Sequence, residues 1–115
     1  MNGGLDLSEV RDFLRKFAAD RDWEQFHTPK NLAMALAGEA GELLEIFQWL
    51  TAAESRALSQ EQQRALADEL ADVLQYVVRI ADISGIDLES AVWHKLRTNQ
   101  DRYPVSEVRG SADKR

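Results

Sequence analysis

Apolar positions along the chain recur at helical spacing in four stretches, and nowhere do they alternate over the length a strand requires. In the first stretch Val10, Phe13, Leu14 and Phe17 form one stripe. Asp6, with Glu9 three residues on, caps this helix, which is predicted to run to about Asp20. Trp23 to His27 forms a connector. Thr28 as N-cap, with Pro29 at the first helical position, predicts a second helix reaching about Ala52. Ser59 with Gln62 caps a third, ending at Ser84 and Gly85. Asp87 caps a fourth, through Leu88, Val92 and Leu96 to about Asp101, stopped ahead of Pro104. Four amphipathic helices joined by short loops predict an all-α domain over residues 1–104, an antiparallel four-helix bundle. From Val105 to Arg115 the chain is polar and charged without periodicity, which predicts a disordered tail.

Two acidic pairs break the pattern. Wound at about 100° per residue from Glu39, the residues Leu32, Leu36, Leu43, Ile46, Phe47 and Leu50 fall in an arc from roughly −20° to +80°. Glu39 therefore lies inside the apolar stripe, and Glu42 on its edge. In the third helix Leu66, Leu70, Val73, Tyr76, Val77, Ile80 and Ile83 place Glu69 inside the stripe and Asp72 on its edge in the same way. If the two stripes face each other, four carboxylates converge. At ~4 Å two like charges repel by about 4 kcal/mol at an effective dielectric of 20, so such a cluster needs protons or cations. Mg²⁺ or Mn²⁺, which take hard oxygen ligands, meets that need. Acidic residues three apart on a helix are more often a solvated face, and only their place inside the apolar stripe argues otherwise.

Length and charge narrow the partners. A chain of 115 residues is one domain with a modest core, and gains from burial in an oligomer. A formal net charge of −6 disfavours a nucleic acid or a membrane surface as partner, whereas a small phosphate compound bridged by metal remains compatible. There is no cysteine, hence no disulfide framework and no thiol chemistry. Met1 to Asp6 shows no leader pattern and no run approaches the ~18 apolar residues of a membrane span, so a soluble cytoplasmic protein is expected.

Other chemistries fit less well. A di-iron bundle wants two Glu-x-x-His motifs; the chain has one, Glu24 to His27, because Ala91 precedes His94 by three. No serine has the context of a nucleophile elbow. Lys95, Asn99, Arg102 and Tyr103 are phosphate-competent residues along the fourth helix and its exit, and equally suit a solvated last turn. His27, Lys30 and Asn31 surround the start of the second helix, where free backbone N–H groups meet anions. Trp23 and Phe26 lie in a connector where no stripe demands them, while Trp49 and Tyr76 suit a core or an oligomer interface.

Taken together, Arg21-Asp22-Trp23-Glu24-Gln25-Phe26-His27, Asn31-Leu32, Gly38-Glu39-Ala40-Gly41-Glu42-Leu43-Leu44-Glu45 and Phe47-Gln48-Trp49 resemble the MazG-type all-α nucleoside triphosphate pyrophosphohydrolases, most closely their dCTP pyrophosphatase branch. Glu69-Leu70-Ala71-Asp72-Val73-Leu74-Gln75-Tyr76 and Lys95 to Pro104 extend the resemblance over about Asp6 to Pro104. It implies cleavage of a (deoxy)nucleoside triphosphate to monophosphate and pyrophosphate, with Mg²⁺ on Glu39, Glu42, Glu69 and Asp72. It further implies a homodimer or homotetramer, Lys95, Asn99, Arg102 and Tyr103 near the phosphates, and Trp23, Phe26, His27, Asn31, Trp49 and Tyr76 around the nucleoside. Glu42 and Glu45 are both candidates for the general base, although Glu45 projects about 120° from Glu39, outside the stripe.

Two other readings stay open at this level. The same fold and metal would serve dUTP, a noncanonical triphosphate or a phosphoribosyl nucleotide, and a non-catalytic helical interaction protein would bind metal for stability alone. The connector aromatics favour a cytosine nucleotide over the first. Lys95, Asn99 and Arg102 argue against the second, since structure alone would not need them.

Overall fold

A computed structural model describes residues 4–115; the first three residues of the expected domain lie outside the described residues. The architecture is all-helical among the described residues: α1 (Leu7–Asp20), a 3₁₀ turn (Glu24–Phe26), α2 (Pro29–Phe47), α3 (Ala52–Ser55), α4 (Gln60–Ile83), α5 (Leu88–Arg102) and α6 (Val105–Val108). No helix among them is long and apolar enough to cross a membrane.

The caps read from the sequence set most boundaries. Asp6 accepts hydrogen bonds from the backbone N–H of Ser8 and Glu9 at 2.8 and 3.4 Å. Thr28 Oγ1 accepts from Asn31 N–H at 3.1 Å, with Pro29 leading α2. Ser59 and Gln62 form a reciprocal capping box at the head of α4. At its other end Gly85, with φ +70°, lets Ile86 N–H reach Ala81 O at 2.8 Å and Gly85 N–H reach Asp82 O at 3.1 Å, a Schellman closure.

The second helix is shorter than expected. α2 stops at Phe47, not near Ala52, because Thr51 and Glu54 make their own capping box: Thr51 N–H donates to Glu54 Oε1 at 2.8 Å and Glu54 N–H to Thr51 Oγ1 at 3.1 Å. An N-cap needs extended backbone, here ψ 166° at Thr51, and that cannot belong to a continuing helix. The apolar period running on through Leu50 concealed the cap. Past Pro104, where the sequence offers no periodicity, the chain makes the single turn of α6, and Tyr103 Oη accepts from Arg115 N–H at 2.9 Å.

α2 packs most extensively on α4, and α1 packs on α4 beside it. Both run antiparallel to α4. His27, at the head of α2, meets Arg79 near the end of α4, while Glu42 meets Glu69; Arg15 of α1 likewise meets Asp82. Ala18, Leu32, Val78 and Ala81 are the buried apolar side chains among the described residues. α5 touches α4 only lightly and buries no residue, so within one chain the packed unit has three helices rather than the four of the expected bundle. The apolar positions of α5, Val92, Trp93 and Leu96, are exposed instead.

Candidate active site

The misfit carboxylates of the two central helices do converge. One carboxylate oxygen each of Glu39, Glu69 and Asp72 lies within 4.8 Å of the other two. Glu42, more exposed, stands beside Glu69 without closing that triangle. Glu39 Oε2 and Glu69 Oε2 are buried and have no hydrogen-bond partner. Two unpartnered buried acceptors in one carboxylate cluster are costly unless a proton or a cation joins them. Contact with Glu39, then desolvation, then Glu42 push the Glu69 carboxyl up to about 7. Hard oxygen donors in this arrangement fit a divalent cation such as Mg²⁺ or Mn²⁺. Glu45 is exposed and outside the convergent set.

Beside the cluster opens a cleft of about 180 Å³ that shares Glu39 and Asp72 with it and is walled by Trp23, His27, Tyr76 and Arg79. A larger groove of about 410 Å³ lies at the junction of α1 and α5, away from the carboxylates. The smaller cleft is the one with chemistry at its edge. Its aromatic wall follows from how α1 ends. Asp22 adopts φ +55°, so that Trp23 N–H reaches back to Ala18 O at 2.9 Å and Asp22 N–H to Ala19 O at 3.1 Å. This turn folds Trp23 back against Phe17, with ring centroids 5.8 Å apart in an edge-on arrangement. Trp23 and His27 then stand 6.4 Å apart. Asn31 Nδ2 donates to Phe26 O at 3.0 Å and anchors the connector to α2.

Beneath this wall runs a chain of charges. Arg15 donates to both Asp82 oxygens, at 2.7 and 2.5 Å, and Arg79 donates to Asp82 Oδ2 at 3.5 Å and through Nε to His27 Nδ1 at 3.1 Å. The Arg15 hydrogen bond, outweighing desolvation, holds the Asp82 carboxyl below its ordinary range. Desolvation, with the Arg79 charge next, holds the His27 imidazole below its ordinary value despite Glu24.

Of the residues singled out in the sequence, Glu39, Glu69 and Asp72 come together with Trp23, His27 and Tyr76 around the cleft, and Glu42 stands beside Glu69. Phe26 is exposed, and Asn31 reaches the cleft only through its bond to the connector. Lys30 is exposed and outside the cleft, and Trp49, 87% exposed, does not line it either. Lys95 and Arg102 are exposed on α5, Asn99 and Tyr103 are half-buried there, and none of the four lines the cleft. Arg79 and Gln75 line it and escaped the sequence reading. The signal for Arg79 was present, since it lies three residues past Tyr76 and seven past Asp72, on the face that carries both.

The chain as a whole is similar to known proteins. Residues 35–114 match the model of the MazG-like family, a span that begins in α2 ahead of the first acidic pair and continues into the tail. The chain is 50% identical to dCTP pyrophosphatase 1 of Rattus norvegicus and 46% identical to that of Homo sapiens, each over 110 residues and 94% of this chain. It spans 65% of the length of those relatives. A crystal structure of a pyrophosphatase from Archaeoglobus fulgidus superposes with a TM-score of 0.80 at 36% identity, covering 90% of this chain and 97% of that one. Sequence motifs, helical architecture and overall similarity coincide, and the chain belongs to the MazG-like family.

Proposed function

We propose that the protein hydrolyses the α–β phosphoanhydride of dCTP or a closely related or modified deoxynucleoside triphosphate, releasing monophosphate and pyrophosphate. The observation that carries this reading is the pair of unpartnered buried oxygens of Glu39 and Glu69, set at the edge of an aromatic cleft. The names of the mammalian relatives support the choice of nucleotide. Glu39, Glu42, Glu69 and Asp72 would hold the divalent cation, Mg²⁺ or Mn²⁺. When bound it neutralises triphosphate charge and lowers the pKa of attacking water.

The remaining tasks fall to side chains. Trp23 and Tyr76 offer faces on which a base stacks, and His27 meets its edge. Glu42, which stands at the edge of the closed triangle of carboxylates, is the ligand least committed to the cation and so the one placed to accept the proton of the attacking water. Lys95 and Arg102 supply cations for the leaving pyrophosphate. They do not reach the cleft of their own chain, and a cleft of about 180 Å³ is smaller than the ~300–1,000 Å³ of a complete ligand pocket. Both facts support a homodimer or homotetramer in which α5 completes a four-helix bundle on a second copy. Localisation in the cytoplasm accords with a dissolved nucleotide substrate.

A pyrophosphate-release screen over the common and 5-modified nucleoside triphosphates with Mg²⁺ tests the proposal. The expected result is turnover strongest for cytosine deoxynucleotides and none in the presence of excess chelator. Release of pyrophosphate from no nucleotide would overturn it.

A further inference from the structure

Arg79 is 6% exposed on α4, where any apolar side chain of similar length would serve packing better. Its guanidinium carries donors only. The nitrogen of His27 that receives Nε–H at 3.1 Å must therefore be a bare lone pair, and an imidazolium there would set N–H against N–H. Arg79 is itself held from the far side: its Nη1 donates to Asp82, which Arg15 of α1 grips through both oxygens. The pin reaches from α1 through α4 to the connector. It ends on the one cleft residue whose ring can be donor or acceptor according to its tautomer.

We infer that Arg79 is a positioning residue that fixes His27 as the neutral tautomer protonated at Nε2, so that the base cleft presents His27 as a hydrogen-bond donor and selects a nucleobase edge bearing an acceptor. All three pyrimidines accept at O2, but at N3 cytosine offers an acceptor where uracil and thymine carry a proton. A fixed donor facing that position rejects them, because a buried polar group left without its partner is costly. The charged groups that face His27 are Arg79 from α4 and Glu24 from the preceding turn. The inference rests on the base-cleft reading above and adds to it the residue that sets the polarity of the contact.

The test reads the ring directly. Nitrogen-15 spectra of wild-type protein labelled at histidine, recorded near neutral pH with Mg²⁺, should show His27 with a bare Nδ1 and a protonated Nε2. Addition of the non-hydrolysable α,β-methylene analogue of dCTP should shift the Nε2 signal and leave the tautomer unchanged. Steady-state kinetics give a second readout. Arg79→Met should raise KM for dCTP about 10-fold, with kcat reduced less, and narrow the preference for dCTP over dUTP by a similar factor. His27→Gln, which keeps an N–H near the Nε2 position, should retain more of that preference than His27→Asn, which does not. Protonation at Nδ1 in the wild-type spectrum overturns the inference even where the Arg79 variant fails to fold. If His27 has that tautomer yet still responds to the analogue, the base-cleft reading survives without it. If saturating analogue leaves the ring signals unmoved, the cleft is not the base site, and both readings fall.

Discussion

Glu69 concentrates the chemistry of the site in one side chain. Its buried Oε2 has no partner, and its neighbours raise its pKa from an ordinary 4.5 to about 7. A carboxyl whose folded pKa is raised binds a proton that the unfolded chain has already released. That contribution stabilises the metal-free protein fully below about pH 4.5 and is lost as the pH climbs to about 7. The melting temperature of chelator-treated protein should thus fall over this window, and Glu69→Gln should remove that part of the slope. Excess Mg²⁺ should flatten the profile too, because cation and proton compete for the same oxygens. Unchanged slopes in the variant and with metal would show that Glu69 is an ordinary surface acid. Removing the ligand outright is harsher on turnover than on folding. Glu39→Ala or Glu69→Ala should lower kcat at least about 100-fold at saturating Mg²⁺ while helical circular dichroism survives, since deleting one of several like charges relieves repulsion. Near-wild-type rates in either variant would sink the metal assignment.

At the scale of elements, the connector between α1 and α2 shapes the cleft, and its form depends on one strained position. Asp22 holds φ +55°, a conformation glycine adopts without steric cost, so Asp22→Gly should stabilise the fold by about 0.5–1 kcal/mol by calorimetry while leaving KM near wild type. A loss of stability would mean that the Asp22 side chain, which accepts from Gln25 Nε2 at 3.2 Å, matters more than the backbone strain. Trp23, the residue this turn delivers, should matter to binding. Trp23→Ala is expected to raise KM for the preferred nucleotide about 5- to 100-fold and to flatten discrimination among bases, with metal affinity little changed. An equal fall in turnover for every nucleotide would instead make Trp23 a packing residue. Much of this level was legible in the sequence, because caps are local: Asp6, Thr28, Ser59 and Asp87 each begin a helix where residue chemistry says one begins. The end of α2 was not, since the Thr51–Glu54 box competes with an apolar period that runs through it. Arg79 was missed for a different reason. Its place on the face of Tyr76 and Asp72 is legible, but its partner His27 lies 52 residues away in sequence and only the fold brings the two together.

For the whole molecule, the sequence indicates that the fourth amphipathic helix must bury a face and is silent on what covers it. Among the described residues nothing covers that face fully. α5 has no buried residue, Trp93 is 55% exposed, and the Cα radius of gyration of 17.4 Å exceeds the roughly 13 Å of a compact domain of this length. An apolar face left in this state on a chain whose core positions are partly given to carboxylates favours a second copy as its cover. Sedimentation at micromolar concentration should therefore detect a dimer or a larger species. Trp93→Glu should weaken assembly by about 3–5 kcal/mol, the range for losing a buried large aromatic, which raises the dissociation constant at least ~100-fold. Catalysis should follow assembly if α5 of a second copy completes the site as proposed: activity per chain at nanomolar concentration should fall in Trp93→Glu and recover as the variant is concentrated, because Lys95 and Arg102 sit on the same helix and line no cleft of their own chain. A wild-type protein that sediments only at 13.0 kDa, active at every concentration, would assign the whole reaction to one chain and leave the exposed α5 face to some other purpose.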